Sequence, residues 1–118
     1  MKVRRGDVVL GFYQYASGAG GKRRPLLVVQ NDRDNRRMSS TVVAQISSTL
    51  DRAREPTHLL ILASSEEGKA AGLLHDSVIS CNNLATLSDH RIDRVIGHLS
   101  PALMSRIDTC LKAALDLS

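Results

Sequence analysis

Arg24 stands directly before Pro25, where a stretch dominated by Ser, Gly and Ala (residues 16–21) gives way to the apolar run from Pro25 to Gln30. A rigid strand would hold a guanidinium at such a junction over the mouth of a mobile loop. Its permanent charge and planar fork of donors suit a phosphate whose negative charge grows during in-line displacement. A plain surface arginine accounts for the same position equally well. Ser47 opens Ser47-Ser48-Thr49, three hydroxyls at the point where a strand enters a loop. Such a hydroxyl could assist at a phosphate, although capping a neighbouring backbone group is its commoner use.

Other routes to chemistry lack their signatures. The chain has no phosphate-cradling or dinucleotide glycine motif, no His-Glu-x-x-His and no Cys-x-x-Cys, so catalysis is expected from ordinary side chains, with no metal and no cofactor. His58, His75, His90 and His98 show no metal-ligand spacing and read first as surface or packing residues. Of these, His58 and His98 lie in strand patterns that could bring them together. Cys81 and Cys110 read as reduced, packed residues, and Cys110 falls on an apolar helix position where a thiolate would be costly.

The net charge of +4 is unevenly spread. Residues 1–54 hold eleven Lys or Arg against four Asp or Glu, whereas residues 55–118 hold five against eight. The basic half clusters its charge at Arg4-Arg5, Lys22-Arg23-Arg24 and Arg33/Arg36/Arg37, and so forms the candidate polyanion face. Phe12, Tyr13 and Tyr15 are the only aromatics. All three flank the Gly-rich loop, where they could stack bases.

These residues need a scaffold, and the chain supplies short strands and one helix. At 118 residues and 42% apolar content a single domain spanning 1–118 can close one core. No apolar run spans a membrane and the N-terminus lacks a signal-peptide pattern, so a cytoplasmic protein is expected. Residues 7–13, 25–30, 41–46, 57–62, 77–81 and 92–99 read as strands, with Pro25 opening the second and residues 16–21 forming a loop. Residues 31–40 read as a polar connection with one helical turn, and 64–71 as exposed and polar. Ser100 is a good N-cap and Pro101 suits the first helical position. Leu103, Met104, Ile107, Cys110, Leu111, Ala114 and Leu115 then recur at helical spacing. The expected fold is mainly β, a small barrel or half-barrel with a C-terminal helix.

Taken in order, Arg5-Gly6-Asp7-Val8-Val9, Gly21-Lys22-Arg23-Arg24-Pro25-Leu26-Leu27-Val28, Gln30-Asn31-Asp32, Asn35-Arg36, Val42 to Ser48, Pro56-Thr57-His58, Gly72-Leu73, Asp76-Ser77-Val78 and Thr86-Leu87 closely resemble the MazF/PemK toxins of bacterial toxin–antitoxin pairs. The resemblance covers nearly the whole chain. It implies an SH3-like, CcdB-like barrel, a homodimer, metal-independent and sequence-selective cleavage of single-stranded RNA, and neutralisation by a cognate MazE/PemI-like antitoxin. The family's catalytic Arg and Thr fall on Arg24 and Ser47, the latter keeping the hydroxyl without the methyl. The implied reaction is attack of a ribose 2′-OH on the adjacent phosphate, which DNA would resist. Arg24 would stabilise the equatorial oxygens and is a candidate to relay a proton, while Ser47 would donate a hydrogen bond. Lys22, Arg23, Tyr15, Ser48, Arg36, Arg37 and His58 are the expected RNA-binding residues.

The chain departs from the family at Ala19-Gly20, where relatives often carry Glu-Gln, at Gln14, often Pro, and near Asn82, where an acidic residue is usual. Those changes bear on base preference and activity. Two other functions are compatible with the same fold: a CcdB-like toxin that binds gyrase, and a catalytically decayed RNA- or antitoxin-binding relic.

Overall fold

In a computed structural model, which describes residues 2–14 and 20–118 and only the backbone of Gln14, six strands form one antiparallel sheet. In chain order the elements are β1 (Asp7–Gln14), β2 (Gly21–Val28), α1 (Asp32–Arg37), β3 (Ser40–Ser47), β4 (His58–Ile61), α2 (Glu66–Ala70), β5 (Ser77–Ser88), a short 3-10 turn (Asp89–Arg91), β6 (Ile92–His98) and α3 (Pro101–Leu115). The strand order is β4-β5-β3-β2-β1-β6. The expected mainly β architecture with a C-terminal helix is present, as a curled half-barrel.

Strand alternation sends successive apolar residues to two cores. Val8, Leu27 and Ala44 face one cluster with Ile46, Ile79 and Cys81, while Val9, Leu26 and Val43 face another with Tyr13, Leu87 and Ile92. α3 covers the first cluster with its buried stripe of Leu103, Met104, Ile107 and Cys110, so the helix packs on its own sheet. Ser100 caps it by accepting from the Leu103 N–H, with Pro101 next. Arg5 latches it: its Nε donates to the Val29 carbonyl at 2.9 Å and its Nη2 meets Asp108 at 2.6 Å. Arg5 is thereby a structural residue and leaves the expected polyanion face.

Three expectations are corrected. Pro25 does not open its strand: β2 begins four residues earlier, at Gly21, and pairs with β1 along its whole length. The β2–β3 ladder starts only at Leu26, so Pro25, which has no N–H to give, sits just outside the two-sided part of the sheet. The fifth strand extends to Ser88 and is not confined to 77–81. Its register against β3 jumps from Ala44↔Leu84 to Gln45↔Ser80, a bulge that sets Asn82 and Asn83 out from the ladder. Finally, residues 64–71 are not simply an exposed loop. Ser65 caps α2, and Gly68 and Ala71 are buried.

That last segment curls the sheet. Gly97 of β6 lies so close to the turn after α2 that a Cβ there would stand 2.3 Å from the Ala71 carbonyl carbon. Gly72, at φ +74, would likewise place a Cβ 2.3 Å from the Ile96 oxygen. Only glycine allows this approach. It carries one edge strand onto the 71–75 segment, which enters β5 beside the opposite edge.

Candidate active site

The β2–β3 register places Leu26 opposite Gln45. Continued two residues past the ladder's end, the same register sets Arg24 opposite Ser47, on one face of the two strands. Both border one cavity of about 380 Å³. Lys22, Arg23, Arg24 and Pro25 enter it from β2, and Ile46 to Thr49 from the exit of β3. Gly72 to His75 supply another wall, with Ile96 from β6 and Leu10 from β1. The glycine contacts just described are what bring the last two groups over the strand ends.

Arg24 is half-buried, and its Nε is buried without a hydrogen-bond partner among the described residues. A buried guanidinium nitrogen left unpaired costs on the order of 1–3 kcal/mol, so an acceptor reaching it from outside the described residues would relieve that cost. The Arg24 charge also reaches Tyr13. Burial pushes the Tyr13 phenol above its ordinary value, and the Arg24 charge opposes that rise. The Tyr13 hydroxyl donates to Asn83 Oδ1, and Asn83 Nδ2 donates to Gln45 Oε1, tying β1, β5 and β3 together beside the arginine.

Ser47 does what strand-end hydroxyls commonly do: its Oγ accepts from the Thr49 N–H at 3.1 Å. That bond uses a lone pair and leaves the O–H proton free to donate outward. Ser47 and Thr49 also border a second depression of about 400 Å³, whose walls include Gln45, Asp51, Arg52, His58, Ser80, Asn82 and Asn83. The two hollows share Ser47 and Thr49 and no other lining residue.

The remaining expected residues divide. Lys22 and Ser48 are exposed on the first cavity. Arg23 is there too, with its Nε held by Asp93 at 2.7 Å in an exposed pair. His58 lies on the second depression but is buried, its Nδ1 2.7 Å from Thr57 Oγ1 and 4.0 Å from Glu55. His98, on β6, borders neither depression, so the two histidines do not share a site. Arg36 and Arg37 border neither cavity. They sit on α1, which joins the ends of β2 and β3 remote from Arg24 and Ser47. Tyr15 lies outside the described residues.

His75 was missed as a site residue. Before the fold is known it is one dispersed histidine among four, and only the turn at Gly72 brings it to the cavity. The thiols are packed as expected: Cys81 and Cys110 are free and buried, and burial pushes Cys81 up to about 12. Among the described residues no three His, Cys, Asp or Glu side chains converge as metal ligands, and no helix is long and apolar enough to cross a membrane.

Comparison with known proteins follows the same outline. Residues 4–115 match the family of PemK-like, MazF-like toxins of type II toxin–antitoxin systems. The chain is 35% identical to Endoribonuclease EndoA of Bacillus subtilis, covering 99% of this chain and 97% of that one. A solved endoribonuclease from a Mycobacterial species superposes with TM-score 0.75 at 25% identity, over 99% of this chain and 94% of the other. Another Mycobacterial endoribonuclease, solved in complex with its cognate antitoxin, gives TM-score 0.74 at 28% identity, over 98% and 97%.

Proposed function

The chain belongs to the PemK-like, MazF-like toxin family of type II toxin–antitoxin systems, and from that premise we propose that it is an endoribonuclease toxin that cuts single-stranded RNA through Arg24 and Ser47. The observation that carries this reading is the cross-strand arginine–serine pair on one cavity, with the arginine's Nε buried and unpartnered.

In the proposed reaction a ribose 2′-oxygen attacks the neighbouring phosphorus while the bond to the 5′-oxygen breaks, giving a 2′,3′-cyclic phosphate and a 5′-hydroxyl. Arg24 faces the equatorial phosphate oxygens, where one well-placed donor to a developing oxyanion contributes about 3–4 kcal/mol. Ser47 adds a second donor from the opposite strand. Lys22 and the free nitrogens of Arg23 hold the flanking backbone phosphates. No step calls on a metal, and DNA, without the 2′-hydroxyl, is not cut. The protein works in the cytoplasm as a one-domain homodimer and prefers particular base sequences. A cognate antitoxin blocks it, as the Mycobacterial complex suggests by analogy.

The test is incubation of the purified protein with end-labelled single-stranded RNA in excess EDTA. Cleavage that survives chelation, is absent on DNA of the same sequence and disappears in Arg24→Ala supports the reading. RNA left intact by the wild-type protein overturns it.

A further inference from the structure

The cavity has cations and hydroxyls in supply, but the reaction also requires something to take the 2′-hydroxyl proton. Lys22, Arg23 and Arg24 are already protonated, so a proton relay through Arg24 would itself need a neighbouring base. The hydroxyls of Ser47, Ser48, Thr49 and Ser77 donate readily but are very weak bases. Among the described residues lining this cavity, His75 alone has a side chain of a type that accepts protons near neutral pH, whereas Asp51 and His58 line the neighbouring depression and not this one. Residues 15–19, Tyr-Ala-Ser-Gly-Ala, hold no imidazole or carboxylate that could take its place.

We infer that His75 is the general base of the cleavage reaction, an assignment that rests on the nuclease reading above. Its backbone is fixed on both sides. The His75 carbonyl accepts from Ser77 Oγ at 2.8 Å, and the Asp76 carboxylate accepts from the Ala63 N–H at 2.8 Å. Gly72, three residues earlier, is pinned against Ile96. His75 is exposed and lines the same cavity as the cationic residues of β2 and the hydroxyls leaving β3. The groups sharing the cavity with it are Lys22, Arg23 and Arg24 from β2, the hydroxyls from β3 and Ser77, and uncharged Ile96 from β6. Asp76, beside it in sequence, is occupied by Ala63.

The step balances without a further reactant. The imidazole takes the 2′-hydroxyl proton as the 2′-oxygen bonds to phosphorus. The 5′-oxygen leaves with the electron pair of the broken P–O bond and takes a proton from water, and the imidazolium returns its proton to solvent.

The experiment measures kcat and KM against pH on a fluorescent single-stranded RNA carrying a mapped cut site, for wild type, His75→Gln and His75→Ala. Binding is measured separately on the same oligonucleotide with a 2′-deoxyribose at the cut. His75→Gln should lose about 10²-fold or more in kcat with binding unchanged, the acid limb of the wild-type kcat profile should vanish, and free imidazole should restore part of the loss in His75→Ala. A His75→Gln enzyme within about threefold of wild type in kcat, with the acid limb intact, overturns the assignment. So does a loss confined to binding. Wild-type protein that leaves the RNA uncut removes the nuclease reading itself, whereas active wild type with an indifferent His75→Gln removes only the role of His75.

Discussion

Arg24 and Ser47 border one cavity, and the β2–β3 register, carried two residues beyond its last pair at Leu26 and Gln45, sets them opposite one another. The ladder begins beyond Pro25, so the two side chains extend from strands that have just parted, and a phosphate can enter between them. An arginine in the middle of a paired strand would meet a neighbouring side chain there instead.

Because the Arg24 Nε has no partner among the described residues, removing the side chain should damage activity far more than folding. Arg24→Ala is expected to lower kcat by about 10²–10³-fold while its thermal midpoint stays within a few degrees of wild type. Arg24→Lys keeps the charge but loses the planar fork, and should remain closer to Ala than to wild type. Single-turnover kinetics and calorimetry on the same samples check both halves.

On the proposed reaction, the hydroxyl at position 47 should matter and a methyl should not. Ser47→Thr should cut RNA at close to the wild-type rate, whereas Ser47→Ala should lose roughly tenfold or more, the share of one donor to a charged group. Equal rates for Ser47→Ala and wild type would leave Ser47 only its bond from Thr49.

Asp32 should give the fold an acid sensitivity of its own. The Arg5 backbone N–H, at 2.6 Å, is the main reason its carboxyl is held below the ordinary range, with help from Asn35 and the charges of Arg36 and Arg4. A carboxyl depressed in the folded state stabilises it above the unfolded pKa of about 4, and this stability is lost as pH falls through the lower folded value. Asp32→Asn should therefore be less stable than wild type at pH 7 and converge on it as pH falls through that lowered value. Urea unfolding followed from pH 7 into the acid range measures the gap.

The Cys81 thiol, pushed up to about 12 by burial and by Cys110 alongside, should resist alkylation in the native protein at pH 8–9 and react at once in denaturant. Fast labelling of the folded chain would contradict its burial. As pH rises past the ordinary thiol range, the unfolded chain ionises first, so this site loses stability between about pH 9 and 12.

Much of this was legible in the sequence because local chemistry and global fold agree. Ser100-Pro101 and the stripe from Leu103 to Cys110 specify α3 with its capped start, and the β-branched runs specify the strands. The Arg-Pro step and the Ile46-Ser47 exit pointed to Arg24 and Ser47, which line one cavity. What could not be read was set by contacts distant in sequence. Gly97 against Ala71 curls the sheet and brings His75 to the cavity. The Gln30-Asn31-Asp32 and Asn35 motif is structural: Asn35 is buried, accepts from Thr41 Oγ1 at 2.7 Å and donates to the Gln30 carbonyl at 3.0 Å. The positive charges of Arg5, Arg36 and Arg37 looked alike in a linear chain, yet one is a latch and the other two sit beyond the wrong ends of β2 and β3.

Gly97→Ala tests the contact directly. Its Cβ would collide with backbone and not with a side chain that can turn aside, so a loss of about 3 kcal/mol or failure to fold is expected. Gly20→Ala, whose Cβ meets nothing within 4 Å but whose φ is +132, should cost less. Chemical denaturation of the pair ranks them.

β6 pairs with β1, the first strand made, and contributes Ile96 to the cavity wall. On the ribosome, therefore, this cavity lacks its β6 wall until residues 92–98 emerge, and the half-made polypeptide carries Arg24 and Ser47 before the hollow they border is complete.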